Sequence, residues 1–237
     1  MRRFVEILAL IAVFLGLAIP SLQGSPGDGT YESETMTISG IVRTWPAPLL
    51  EVERDGRTEW VLLVSAFKHG AMGRAEPLRD RRVSATGYRI AREGVEMLEL
   101  LGGEEGLRAA GEGAMEQRAP ARLVETEVEL RGEVMDPKCY LGAMRPGRGK
   151  VHLACAARCI EGGIPPLFVA DRIRTDGRAW DGPRHYLLLR ADGEPVGASA
   201  ARMVGVPTMV RGESYGLPGS ALGVFRITGS EGDWTHR

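Results

Sequence analysis

The sequence predicts a mainly β protein. Two tandem small Greek-key barrels follow an N-terminal hydrophobic helix, and the second barrel carries an inserted α-helix bearing cysteine and histidine. Three observations carry this reading. Short alternating strands punctuated by glycine run from residue 36 to 101, the same order of features returns from 127 to 227, and DPKCYLGAMRPGRGKVHLACAARC (136–159) interrupts only the second set.

In chain order, MRRFVEILALIAVFLGLAIPSLQG sets two arginines before an apolar run from Phe4 to Ile19 broken only by Glu6. Residues 1–24 read as a signal peptide or an N-terminal membrane anchor. The run is shorter than the ~20 residues of a usual span, yet no A-x-A cleavage site follows it. Arg2 and Arg3 hold the amino terminus inside, so the remainder is expected to be exported, periplasmic or anchored to the inner membrane facing the periplasm. Residues 25–34, SPGDGTYESE, have the composition of a linker.

The first barrel is expected over 35–101. MTISGIVR (36–43) alternates apolar and polar residues, LLEVE (49–53) continues the pattern, and Asp55-Gly56 turns the chain into EWVLLV (59–64). RVSATGYRI (82–90), a turn at Glu93-Gly94 and VEMLELL (95–101) complete the set, and the non-strand insert 65–81 stands where a small barrel places a cap. Residues 102–125, rich in Gly, Ala and Glu, read as a linker with a frayed helical turn. In the second barrel, expected over 126–229, EVELRGEV matches MTISGIV, HYLLLR matches EWVLLV, GVPTMVRGE matches RRVSATGYR, and ALGVFRI closes as VEMLEL does; 230–237 is a tail. Five short strands, bent by glycine and with an insert before the fourth, resemble the OB-fold.

Composition removes some function classes. Hydrophobic residues at 43% suffice for real cores, whereas a net charge of −1 and 6% aromatics supply neither the field nor the stacking platforms that nucleic acid requires. No nucleic-acid partner is expected. Gly147-Arg148-Gly149-Lys150 lacks the phosphate-loop spacing, no G-x-S-x-G elbow occurs, and no paired carboxylates stand out, so an enzyme is not the favoured reading.

The chemistry concentrates in residues 136–159, which hold all three cysteines. KVHLACAARCI (150–160) contains good helix formers, with Gly149 before it and Gly162-Gly163 then Pro165-Pro166 after it. On such a helix His152, Cys155 and Cys159 fall at i, i+3 and i+7 and share a face. Cys139, at the end of the preceding strand, offers a fourth ligand. Cys₃His suits zinc, and copper(I) is a further candidate outside the cytosol. Asp136 and Met144 are candidate extra ligands, although Asp before Pro is commonly a turn former.

A covalent reading competes. An oxidising compartment favours disulfides, and Cys155 and Cys159, four apart on a helix, are badly placed to pair with each other. Cys139 bonded to one of them closes a loop worth ~3 kcal/mol. The remaining thiol, near His152, Lys150 and Arg158, is then reactive. A reduced, inert set is the third alternative.

Asp136, Cys139-Tyr140, Gly149-Lys150, His152, Cys155-Ala156, Cys159, Gly162-Gly163, Pro165 and the later HYLLL together resemble uncharacterised exported bacterial OB-like proteins with a D-x-x-C-Y…G-K-x-H-x-x-C-A-x-x-C…G-x-P signature. The resemblance spans about 127–227. It implies export, the barrel and a joint role for the four Cys/His residues, and it implies no substrate.

Elsewhere, Trp60 is expected in a core and Trp180 in a loop surrounded by a basic patch of Arg172, Arg174, Arg178 and Arg184. The sequence therefore points to an exported protein, tethered if its leader is uncleaved, that binds a transition metal through Cys139, His152, Cys155 and Cys159. Its expected partners are a metal ion or a periplasmic protein. A thiol–disulfide redox protein and a disulfide-stapled interaction module remain as alternatives.

Overall fold

The computed structural model describes residues 2–22, 29–114, 121–123 and 127–230. Arg2–Leu22 forms helix α1, whose described side chains from 4 to 16 are all exposed. Among the described residues, no helix is long and apolar enough to cross a membrane.

Two closed five-stranded barrels follow. The first comprises β1 (Thr30–Arg43), β2 (Leu49–Arg54), β3 (Arg57–Val64), β4 (Arg81–Arg92) and β5 (Val95–Leu100), with helix α2 (Met72–Ala75) between β3 and β4. The order is β1-β2-β3-β5-β4, closed by β4 on β1; β3 and β5 run parallel and the other neighbours antiparallel. A one-turn helix α3 (Gly103–Gly106) leads to β6 (Leu107–Ala114), which extends the sheet from β4.

After the two-residue β7 (Ala121–Arg122), the second barrel repeats this order with β8 (Val128–Met135), β9 (Leu167–Arg174), β10 (His185–Leu189), β11 (Thr208–Gly216) and β12 (Leu222–Ser230). The neighbour sequence is β8-β9-β10-β12-β11, β11 closes on β8, and β10 runs parallel to β12. A 3₁₀ helix, Gly197–Met203, caps it where α2 caps the first barrel. This topology is that of tandem OB-like barrels.

Paired glycines show why the barrels match. A Cβ on Gly40 or Gly132 of the first strands would lie 2.5 Å from the Glu51 carbonyl oxygen or 2.0 Å from that of Val169. On Gly87 or Gly212 of the fourth strands it would meet the Glu99 or Arg226 oxygen at 2.2 or 1.9 Å. Each glycine lets a strand bend tightly against its neighbour, as closure of so small a barrel requires.

Three apolar cores result. Val42, Leu50, Val61, Leu63, Val83 and Leu98 fill the first barrel, while Leu130, Phe168, Tyr186, Leu188, Val210 and Phe225 fill the second. The third core lies between the barrels, where Leu49, Trp60, Leu62 and Val64 meet Leu167, Leu187, Leu189 and Val224. Strands β3 and β10 are thus buried on both faces, which accounts for the unbroken apolar runs WVLLV and YLLL. Trp60 lies in this third core, and its Nε1 donates to the Pro218 carbonyl at 3.1 Å. On the outer face of the second and third strands, the face OB-folds use for oligonucleotides, Leu49 and Leu62 of the first barrel and Leu167 and Leu187 of the second are buried in this shared core.

Three expectations require correction. Residues 30–34, read as linker, already belong to strand β1, paired with β4, and residues 107–114 of the second segment read as a linker are strand β6. Arg172 and Arg174, read as members of a loop patch, lie on β9, where Arg174 pairs with Glu129 at 3.2 Å. Trp180 does occupy the following loop, half-buried against the second core, with Nε1 donating to the Pro183 carbonyl at 2.9 Å.

Candidate metal centre

The insertion between β8 and β9 builds the site. Beyond Met135 the chain turns through Asp136, whose Oδ1 accepts from the Lys138 backbone N–H at 2.9 Å. A short π-helical turn, Cys139–Ala143, follows and buries Cys139 and Tyr140. Cys139 is therefore on a turn beyond the strand rather than at its end. A 3₁₀ turn, Lys150–His152, then leads into helix α4 (Leu153–Glu161). The change of pitch at His152 alters the single face expected for His152, Cys155 and Cys159.

The donors form two groups instead of one. Sulfurs of Cys139, Cys155 and Cys159 lie within 4.8 Å of one another, and donor atoms of Asp136, Cys139 and His152 do so as well. Cys139 is the member common to both. A tetrahedral zinc site with bonds of about 2.0–2.3 Å separates its donors by roughly 3.3–3.8 Å, so modest side-chain rotation closes either group around an ion.

Asp136 and His152 are 0% and 5% exposed. Asp136 Oδ2 and His152 Nε2 have no hydrogen-bond partner among the described residues. Burying two such atoms unpaired is costly, and coordination to a cation removes the cost. Burial also holds the His152 pKa below its usual value, with Asp136 opposing and Lys68 reinforcing the shift. The neutral imidazole is the form that ligates metal.

The three cysteines are free. Interaction with Cys159 pushes the Cys139 thiol far up, aided by burial and by Asp136, and the same interaction draws Cys159 down. The disulfide staple expected as an alternative is not formed.

The first barrel contributes Lys68, a residue that sequence reasoning passed over. Its Nζ donates to Cys155 Sγ at 2.9 Å, to the Cys155 carbonyl at 3.3 Å and to Cys159 Sγ at 3.6 Å. The hydrogen bond to Cys155 raises the Lys68 pKa against the opposing effect of burial. Lys138 reaches the other way, from the second barrel to Glu99 at 2.7 Å and to the Phe67 carbonyl at 2.6 Å. This exchange of lysines fixes the loop that carries Lys68. Backbone contact reinforces it, since the Gly70 N–H donates to the Gly162 carbonyl at 2.9 Å and a Cβ on Gly162 would lie 1.8 Å from the Lys68 carbonyl oxygen.

Tyr140 anchors the far side of the turn. Its hydroxyl lies 3.3 Å from His185 Nε2 and 3.4 Å from Glu93, and Arg92 stacks 4.4 Å from its ring centroid. Met144, a candidate ligand in the sequence, is half-exposed.

No protein-family model matches this chain, and no curated protein and no solved structure is significantly similar to it.

Proposed function

We propose that this is an exported protein, free or tethered through its N-terminal segment, that binds one transition-metal ion at the β8–β9 insertion for storage or delivery. Asp136, Cys139 and His152 hold the ion, with Cys155 and Cys159 adjoining. The observation that carries the reading is that Asp136 and His152, whose buried Oδ2 and Nε2 are unpartnered among the described residues, belong to one donor group with Cys139. Carboxylate, imidazole and thiolate together suit zinc and its borderline neighbours. The apolar leader run behind Arg2 and Arg3 supports export, as does the resemblance to exported OB-like proteins. Burial of Leu49, Leu62, Leu167 and Leu187 of the two oligonucleotide faces in the shared core directs attention away from nucleic acid and towards the insertion.

Elemental analysis and a free-thiol count on protein from the exported fraction test this. One transition metal per chain, lost in His152→Gln, is the expected result. Metal-free protein with a single free thiol overturns it. That second outcome fits the thiol–disulfide redox reading, which the proximity of the Cys139 and Cys159 sulfurs, within 4.8 Å, favours.

A further inference from the structure

We infer that the cluster provides two alternative coordination positions sharing Cys139: an outer one of three sulfurs, beside the Lys68 ammonium, for a soft monovalent ion, and an inner one of Asp136, Cys139 and His152 for a borderline divalent ion. The inference rests on the metal-binding reading above. The first support is geometric, because the donors fall into two groups with one common member.

Donor chemistry separates the two positions. Three thiolates select copper(I) or silver(I), whereas an oxygen, nitrogen and sulfur set prefers zinc(II) or cobalt(II). Access separates them too. At the outer position Cys155 is half-buried while Cys159 and the shared Cys139 are buried, whereas at the inner position all three ligands are enclosed.

Charge supplies an independent argument. A monovalent ion on three thiolates leaves two negative charges, and Lys68, 2.9 Å from Cys155 and 3.6 Å from Cys159, offsets one of them. A divalent ion on one carboxylate, one thiolate and a neutral imidazole is uncharged overall. An enclosed position tolerates that state without a counter-ion. Each position thus carries the charge its surroundings accommodate, and Cys139 is the ligand around which one ion gives way to the other.

The experiment titrates full-length, chelator-stripped, reduced protein with cobalt(II) and, separately, with copper(I) against a chromogenic copper(I) chelator. Asp136→Asn, which keeps an acceptor for the Lys138 N–H, should weaken cobalt(II) by about tenfold or more while leaving copper(I) within about threefold. Cys155→Ser should do the reverse. In the wild-type protein, cobalt(II) charge-transfer absorption should correspond to one thiolate and copper(I) X-ray absorption to three sulfurs, a readout independent of whether the variants fold. Equal losses for both ions in both variants, or the same sulfur count for both ions, overturn the two-position arrangement and leave a single site. Failure of wild-type protein to bind either ion overturns the metal-binding reading itself.

Discussion

The Lys68 ammonium, carried by the first barrel, lies 2.9 Å from the Cys155 sulfur on helix α4 of the second. The contact raises the Lys68 pKa, so at a given alkaline pH less of this side chain is free amine. Lys68 should therefore react more slowly with acetic anhydride than the exposed Lys150, and Cys155→Ser should accelerate it. Mass spectrometry of partly acetylated protein reads both rates. Equal rates in wild-type and variant protein count against the contact.

Oxidation should be selective. Cys139 and Cys159 bring their sulfurs within 4.8 Å from separate elements, whereas Cys155 and Cys159 lie four apart on α4, where helical geometry keeps their Cβ atoms too far apart for an unstrained bond. A mild disulfide oxidant such as oxidised glutathione should yield a Cys139–Cys159 crosslink with Cys155 left alkylatable. Peptide mapping identifies the pair, and zinc bound beforehand should slow its formation. A Cys155–Cys159 product contradicts the arrangement.

Residues with a local signature were legible in sequence. The strands that alternate or run unbroken, the glycines that bend them and the Cys/His insertion all depend on neighbours close in the chain. Strand β9 escaped because LFVADRIR runs unbroken apolar only through Ala170 and then turns to Asp171, Arg172 and Arg174 on the solvent face, with Ile173 alone continuing towards the core. Strand β6 escaped because an edge strand, paired among the described residues with β4, needs little apolar content, so a Gly/Ala-rich segment suffices. Lys68 escaped for a different reason. It lies 87 residues from Cys155, in an insert without a motif, and only the docking of the barrels brings the two together. The division of the ligands into two groups was likewise hidden, because it follows from the change of helical pitch at His152.

Acid should loosen the seam between the barrels. His185 begins β10, is buried, and pairs with Glu93 of the first barrel at 3.3 Å. Burial lowers its pKa below 6.5; Glu93 opposes this and Arg92 adds to it. Between the lowered folded value and the unfolded value the unfolded chain binds more protons, so stability rises with pH across that window. The contribution is complete above about pH 6.5 and is lost as the pH falls through the window. His185→Gln should give a shallower decline of unfolding free energy below that pH, measured by denaturant titration at several pH values. An unchanged slope refutes the assignment.

The shared apolar core makes a further demand, on cooperativity. Leu62 of β3 and Leu187 of β10 are 0% and 2% exposed, and both belong to the core that joins the barrels. Each barrel alone would expose Leu49, Trp60, Leu62 and Val64, or Leu167, Leu187, Leu189 and Val224, and lose their burial at roughly 25 cal/mol per Å². The barrels should therefore unfold together in one transition. Leu187→Ala, which removes side-chain volume from the seam but from neither barrel interior, should cost about 2–5 kcal/mol and destabilise both barrels equally. Trp60, on the seam side of the first barrel, and Trp180, packed on the second, provide separate fluorescence reporters when each is retained in turn. Coincident guanidinium transitions that shift together in Leu187→Ala are expected. If the Trp180 transition moves alone, each barrel is a separate folding unit, and docking, with the Lys68 contact it creates, is an added step after folding.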